Sequence, residues 1–446
     1  MNLNELSLTE VLEGIEKKRF SPQEIFADCQ KRIKEVDEKT KAFITVIAET
    51  RNAIPFAIKD NFCTENIRTT ASSNILRDYI PPYNATVYQR LIDAQFGLLG
   101  KTNMDSFAHG SSTETSDFFV THNPWNLERL PGGSSGGSAA AVMADETIFA
   151  IGSETAGSIR QPSAWCGVVG LKPSYGRVSR YGVIAMGSSL DCPGPITKTV
   201  ADAEIIYKTI AGKDPLDATT VDRSLVETSS FEPKKIRIGL AKEYLEVAEK
   251  PVRQKILEAA EVFRRLGCSV VEVSLFDPRY AISVYTILQR SEVSSNLARY
   301  DGIRYGSDRT YFNKENKRRI MLGTYTLSAG YYDAYYLKAQ KIRTVICQDF
   351  EKAFEKLDVI IGPVSPSPAK RIGASTADPM FGEKEDVLVE PSTIAGLPAI
   401  SLPAGFVDGL PVGLQIIGNR WQEDLILNLG KLFETETQYY KIKPKL

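Results

Sequence analysis

Apolar residues recur at helical spacing in some stretches of the chain and in short unbroken runs in others, and the two patterns alternate. Ile25, Phe26, Cys29, Ile33 and Val36 mark one face of a helix. Ser21-Pro22-Gln23-Glu24 opens it as a capping box with proline at the first helical position, and Ser7 caps another helix before it. The runs at 42–47 and 55–58 predict strands, 86–96 a helix and 98–99 a short strand. A helix is expected at 138–144, strands at 148–151 and 168–171, a helix at 200–210, a strand at 236–240, a helix at 252–266 and a strand at 270–273. Long helical regions follow at 280–298 and 329–354, then strands at 359–361, 399–402 and 412–417 and a closing helix at 424–433. Strands alternating with helices predict an α/β fold, a sheet covered by helices. Residues 212–234 are polar and turn-rich and read as a surface excursion.

Composition narrows the function classes. The 446 residues carry 54 Lys and Arg against 55 Asp and Glu, a formal net charge of −1. That balance argues against nucleic-acid binding by bulk electrostatics, which needs a basic face. No apolar run reaches the ~18 residues of a membrane span, and the opening Met1-Asn2-Leu3-Asn4-Glu5-Leu6 lacks the pattern of a signal peptide, so a cytoplasmic protein is expected. The six cysteines (Cys29, Cys63, Cys166, Cys192, Cys268 and Cys347) are scattered without a C-x-x-C pair, which predicts free buried thiols rather than a metal site or disulfides. Only two histidines are present, His109 and His122. A Ser-His-Asp hydrolase would have to use one of them; both read as loop residues with structural hydrogen bonds.

The chemistry concentrates between Pro131 and Pro162. Pro131-Gly132-Gly133-Ser134-Ser135-Gly136-Gly137-Ser138 and Gly152-Ser153-Glu154-Thr155-Ala156-Gly157-Ser158-Ile159-Arg160-Gln161-Pro162 flank a small, apolar segment. Flexible linkers are also rich in glycine and serine, but they do not usually hold a packed segment between two tight turns. Glycine lets backbone amides approach a ligand, and serine supplies hydroxyls, the ingredients of an oxyanion site beside a nucleophile. Lys59 ends the apolar run Ile54-Pro55-Phe56-Ala57-Ile58. Taken alone, it reads either as a strand-end lysine reaching water or as a buried general base whose pKa falls from ~10.4 to roughly 7–8.

Taken together, Lys59 before Asp60-Asn61, Ser134 in its glycine turn and Ser158 in the second turn resemble the amidase signature family, whose hydrolases use a Ser–Ser–Lys triad. The resemblance spans at least 54–200, including Cys166-Gly167-Val168-Val169-Gly170-Leu171-Lys172-Pro173. It implies a single large domain over 1–446 with a mixed central sheet and helices on both faces. N-terminal helices would occupy 1–40, the signature core 54–200, and the rest of the sheet with the substrate pocket 235–446. It also implies Ser158 as nucleophile, Ser134 as a bridging serine held by a cis peptide, Lys59 as base, and the backbone N–H groups of Thr155, Ala156, Gly157 and Ser158 as the oxyanion hole. Ser135 and Ser138 need only turn hydrogen bonding; Arg160 reads as a loop brace and Asp191 as structural.

Within that family, the segments 103–116, 175–182, 294–305 and 317–324 are similar to the A subunits of tRNA-dependent amidotransferases. This branch implies glutamine as ammonia donor, with Arg319 for its α-carboxylate, Asp386 for its α-ammonium and Tyr285 in the pocket wall; Arg318 lies next door, and a slip of one stays open. It implies no cofactor or metal in this chain, a heterotrimer with B and C subunits, and ATP with Mg on a partner that also handles most of the tRNA. The absence of a G-x-x-x-x-G-K-[ST] loop fits that division. Whether Glu-tRNA(Gln), Asp-tRNA(Asn) or both are amidated is left open. The chain departs from the family at Glu154 and Ala156, where aspartate and glycine are usual, and the Cβ of Ala156 is expected to tighten the oxyanion loop. The segments before Ile54 and between Tyr305 and Lys317 look shortened. Two other readings remain: a free-standing amidase acting on a small or acyl amide, and a catalytically inactive interaction protein.

Overall fold

The computed structural model describes residues 2–223 and 231–446; part of the expected surface excursion at 212–234 lies outside the described residues. Among the described residues, eleven strands form one sheet: β1 (Phe43–Val46), β2 (Ile54–Lys59), β3 (Phe96–Thr102), β4 (Phe149–Glu154), β5 (Val169–Lys172), β6 (Cys192–Thr197), β7 (Arg237–Ala241), β8 (Ser269–Val273), β9 (Val359–Pro363), β10 (Ala399–Val407) and β11 (Leu410–Gly418). Their order is β1-β3-β2-β4-β6-β5-β10-β11-β9-β7-β8. The sheet is mixed: β2 runs parallel to β3 and β4, and β7 to β8 and β9, whereas β4/β6, β5/β6, β5/β10, β10/β11 and β9/β11 are antiparallel.

Helices cover both faces, and neighbouring strand residues show it. Ile361, Ile400 and Ile416 pack with the helices Lys250–Arg265 and Glu423–Thr437. Ile360, Ala399 and Ile417, one residue away along each strand, pack with Pro278–Asn296 and Lys338–Phe354. Side chains alternate across a strand, so each β-run feeds two helix layers. This is why the central strands read as unbroken apolar runs: every residue of β2, β3 and β4 is buried. Ser7 and Ser21 both make capping boxes. Among the described residues no helix is long and apolar enough to cross a membrane.

Several elements differ from expectation. The helix expected over 86–96 ends at Asp93; Gln95 takes a left-handed φ of 64°, and Phe96 starts the seven-residue β3. Strand β6 is unexpected because Pro193, Gly194 and Pro195 erase its pattern; it nevertheless pairs between β4 and β5. Arg160–Cys166 is a helix without polar alternation because all seven residues are buried. Lys314–Leu327 is a further unanticipated helix. The expected helix at 329–354 is divided into a π-helical turn, Asp333–Leu337, and the α-helix Lys338–Phe354. All six cysteines are free thiols, but Cys347 is only half-buried.

Candidate active site

Strand β2 delivers Lys59 into the interior, where its side chain is fully buried. Nζ donates to Ser134 Oγ at 2.7 Å and to the Ser153 carbonyl at 2.9 Å. Burial pulls the ammonium down to about 7, against the opposing pull of Asp105, Asp191 and Glu154. Of the two readings of Lys59, the solvent-seeking one is therefore excluded. Ser134 follows a cis peptide bond from Gly133. A Cβ on Gly133 would lie 2.1 Å from Asp105 Oδ2, so only glycine lets this turn pack against that carboxylate. The helix Gly136–Met143 begins directly after it, entirely buried.

The second turn leaves β4 at Glu154 and enters the helix Arg160–Cys166. The amides of Thr155, Ala156, Gly157 and Ser158 donate to no hydrogen-bond partner among the described residues, although all four residues are buried. The next two amides, of Ile159 and Arg160, donate to Glu154 Oε2 at 3.0 and 2.9 Å. The longer glutamate thus spans the loop from its start to its end. Arg160 binds Glu154 Oε1 through Nε at 2.8 Å and reaches Ser392 Oγ, Gln415 Oε1, the Val389 carbonyl and Thr393 Oγ1. It braces the loop, as expected, and also ties it to β11 and to the 389–393 segment. Asp191 accepts from Thr155 Oγ1 and from the amides of Met186 and Gly187, which is a structural set of partners.

Ala156 does not strain the loop. It is not among the non-glycine residues with positive φ, so its Cβ meets no left-handed penalty there. Close approach instead falls at Gly157, where a Cβ would sit 2.5 Å from Val389 Cγ2 and 2.6 Å from Asp386 Oδ1. Ser158 Oγ has no hydrogen-bond partner among the described residues, and Ser134 is linked to Lys59 but not to Ser158.

Ser158 opens on a cavity that also brings together Tyr285, Arg319 and Asp386 from three separate elements. Arg319 is 6% exposed and donates from Nε to Glu315 at 2.6 Å and from Nη1 to Gln289 at 3.1 Å. Arg318 points away, one third exposed, toward the Pro379 carbonyl. Geometry therefore places Arg319, not its neighbour, in the cavity. Asp386 caps the helix Phe381–Glu385; Oδ2 accepts from Ser111 Oγ at 2.5 Å, while Oδ1 is buried without a partner among the described residues. Burial pushes its carboxyl well above the usual carboxylate range. Nearby, Arg290 pairs with Glu383.

Neither histidine is bonded to a serine among the described residues. His109 Nδ1 meets Asn316 Oδ1 at 2.7 Å, with burial holding the ring pKa at about 3, and His122 Nδ1 meets the Leu127 carbonyl at 2.6 Å. Sequence reasoning missed Ser111, Gln289, the Arg290–Glu383 pair and Glu390. Gln289 and Arg290 are neighbours on the helix Pro278–Asn296 behind the cavity, whereas Ser111, Glu383 and Glu390 come from distant parts of the chain and meet only in the cavity wall.

The same chain, read against known proteins, matches the family model described as amidase over residues 24–427. In Thermodesulfovibrio yellowstonii, the A subunit of glutamyl-tRNA(Gln) amidotransferase is 50% identical over 487 aligned positions, covering 100% of both chains. Its counterpart in Geobacillus kaustophilus is 48% identical over 485, again with full coverage of both. The alignments are longer than this chain's 446 residues, so both relatives carry segments that it lacks. Among solved structures, the A subunit of glutamyl-tRNA(Gln) amidotransferase from Thermotoga maritima superposes with a TM-score of 0.86 at 42% identity, covering 98% of this chain and 95% of that one.

Proposed function

This chain belongs to the amidase family, and we propose that it is the glutaminase subunit of a tRNA-dependent amidotransferase. The observation that carries the reading is the buried Lys59–Ser134 contact beside four amides without a partner among the described residues, next to a cavity with one arginine and one aspartate. A neutral lysine amine has two N–H donors and a lone pair. With one N–H on the Ser153 carbonyl, the lone pair can take the Ser134 proton. Ser134 then takes the Ser158 proton as Ser158 Oγ attacks the side-chain amide of glutamine. The tetrahedral oxyanion accepts from the amides at 155–158, each such donor contributing about 3 kcal/mol to the transition state. The amide nitrogen takes a proton back through the same relay and leaves as ammonia; water then hydrolyses the γ-glutamyl ester.

The pocket selects an amino-acid amide by charge. Arg319 holds the α-carboxylate, Asp386 the α-ammonium, and Tyr285 closes the wall. This chain needs no cofactor for these steps. Ammonia passes to the B subunit of a B- and C-containing heterotrimer in the cytoplasm, where ATP and Mg activate Glu-tRNA(Gln), or Asp-tRNA(Asn), for amidation.

The test of the pocket is Arg319→Ala. It removes a charge-assisted bond made in ground and transition states alike, so the loss appears as raised KM. The expected size is about 2–3 kcal/mol, roughly 30- to 150-fold in KM for glutamine. Simple amides without an α-carboxylate keep their KM. An equal loss on both substrates would show that Arg319 supports the fold or a partner interface, and would favour a free-standing amidase.

A further inference from the structure

We infer that Glu390 forms a second acidic wall of the amide pocket and, together with Asp386, receives the ammonium group of an α-amino-acid substrate; this rests on the glutaminase reading above. Glu390 is fully buried, and neither of its carboxyl oxygens has a hydrogen-bond partner among the described residues. It lines the same cavity as Ser158, Tyr285, Arg319 and Asp386. Its amide donates to the Asp386 carbonyl at 3.1 Å, which sets the two acids one turn apart on one side of the backbone. The preceding carbonyl, of Val389, is held by Arg160 Nη2 at 3.0 Å, so the segment is anchored to the nucleophile loop.

The cations around the cavity bond to other groups and none to Glu390, although Arg290 Nε and Nη1 are buried without a partner among the described residues. Arg290 pairs with Glu383, and Arg319 with Glu315 and Gln289. Glu390 and Asp386 Oδ1 are thus left as buried acceptors with nothing to accept among the described residues. A buried polar group without a partner is costly, and a buried carboxylate more so. Burial and the neighbouring acids Asp386 and Glu383 push the Glu390 carboxyl well above its usual range, against the opposing pull of Arg290 and Arg319. A ligand ammonium answers both acids at once: it carries one positive charge and three N–H donors. A substrate amide without an ammonium leaves Glu390 unsatisfied.

The test uses the full chain in its complex and two amides, L-glutamine and glutaramic acid, which keeps the amide and the carboxylate but has hydrogen in place of the ammonium. Wild type is expected to favour glutamine in kcat/KM. Glu390→Gln preserves shape and removes charge; it should raise KM for glutamine about tenfold or more with kcat nearly unchanged, and leave KM for glutaramic acid unaltered. Glu390→Asp keeps the charge but withdraws it, and should show a smaller rise selective for glutamine; it carries the test if the glutamine variant loses its folded circular dichroism spectrum. An unchanged preference in the variants, or an equal loss on both amides, overturns the role of Glu390 while leaving the glutaminase reading intact. A wild-type enzyme with no preference for glutamine overturns that reading, and this inference with it.

Discussion

Ser158→Ala is expected to lower glutamine-dependent turnover by roughly 10⁴-fold or more, the scale seen when a nucleophile is removed from a serine hydrolase. The alanine keeps the loop and its amides at 155–158, because neither the turn nor the Glu154 bonds at Ile159 and Arg160 use the serine hydroxyl. The complex should therefore still assemble. Amidation of the misacylated tRNA should continue when free ammonia replaces glutamine, because ammonia bypasses only the hydrolytic step. Parallel assays with glutamine and with ammonium chloride check this. Near wild-type glutamine hydrolysis by the variant would remove Ser158 from the chemistry.

Lys59→Arg should cost about 10²-fold or more in kcat/KM, as when a general base is lost. Arginine keeps a positive charge but does not deprotonate near neutrality. The sign of the pH dependence follows from the lowered pKa. Below about 7 the Lys59 ammonium is protonated and cannot accept the Ser134 proton; above it the amine is free. Wild-type kcat/KM for glutamine should thus rise with pH through about 7 and then level off. The arginine variant should lack that limb. A loss of only a few fold, with the wild-type pH profile retained, would reduce Lys59 to an electrostatic role.

The glycine–serine turns and the apolar run before Lys59 were legible because they are local, whereas the roles of Lys59, Ser134 and Ser158 were named through the resemblance. Glycine turns, a capping serine and an apolar run before a lysine are all features of neighbouring residues. The helix expected at 200–210 is Val200–Ile210, because its cap at Thr199 and its apolar face lie within a few turns of each other. The pocket residues carried still less local signal. Arg319, Asp386 and Tyr285 were named through resemblance to a family, and composition and spacing alone would have left each an ordinary surface charge or core aromatic. Glu390 carried no signal, since a lone glutamate before a proline reads as a surface helix start until the chain around it closes.

By itself, the sequence determined the alternation of strand and helix, the buried runs of β2 and β4, and the two glycine–serine turns with their serines. It could not determine which long-range pairs would form. Lys59 meets Ser134 across 75 residues, and Arg160 meets Gln415 across 255. Tertiary structure put Arg319 rather than Arg318 in the cavity wall beside Ser158, turned the proline-broken 192–197 segment into a strand, and left Glu390 and Asp386 Oδ1 facing that cavity without a hydrogen-bond partner among the described residues. The physical reason is the same in each case. Turns, caps and periodicity depend on contacts within a few residues, whereas burial, desolvation and hydrogen-bond satisfaction depend on what the rest of the fold brings to the site.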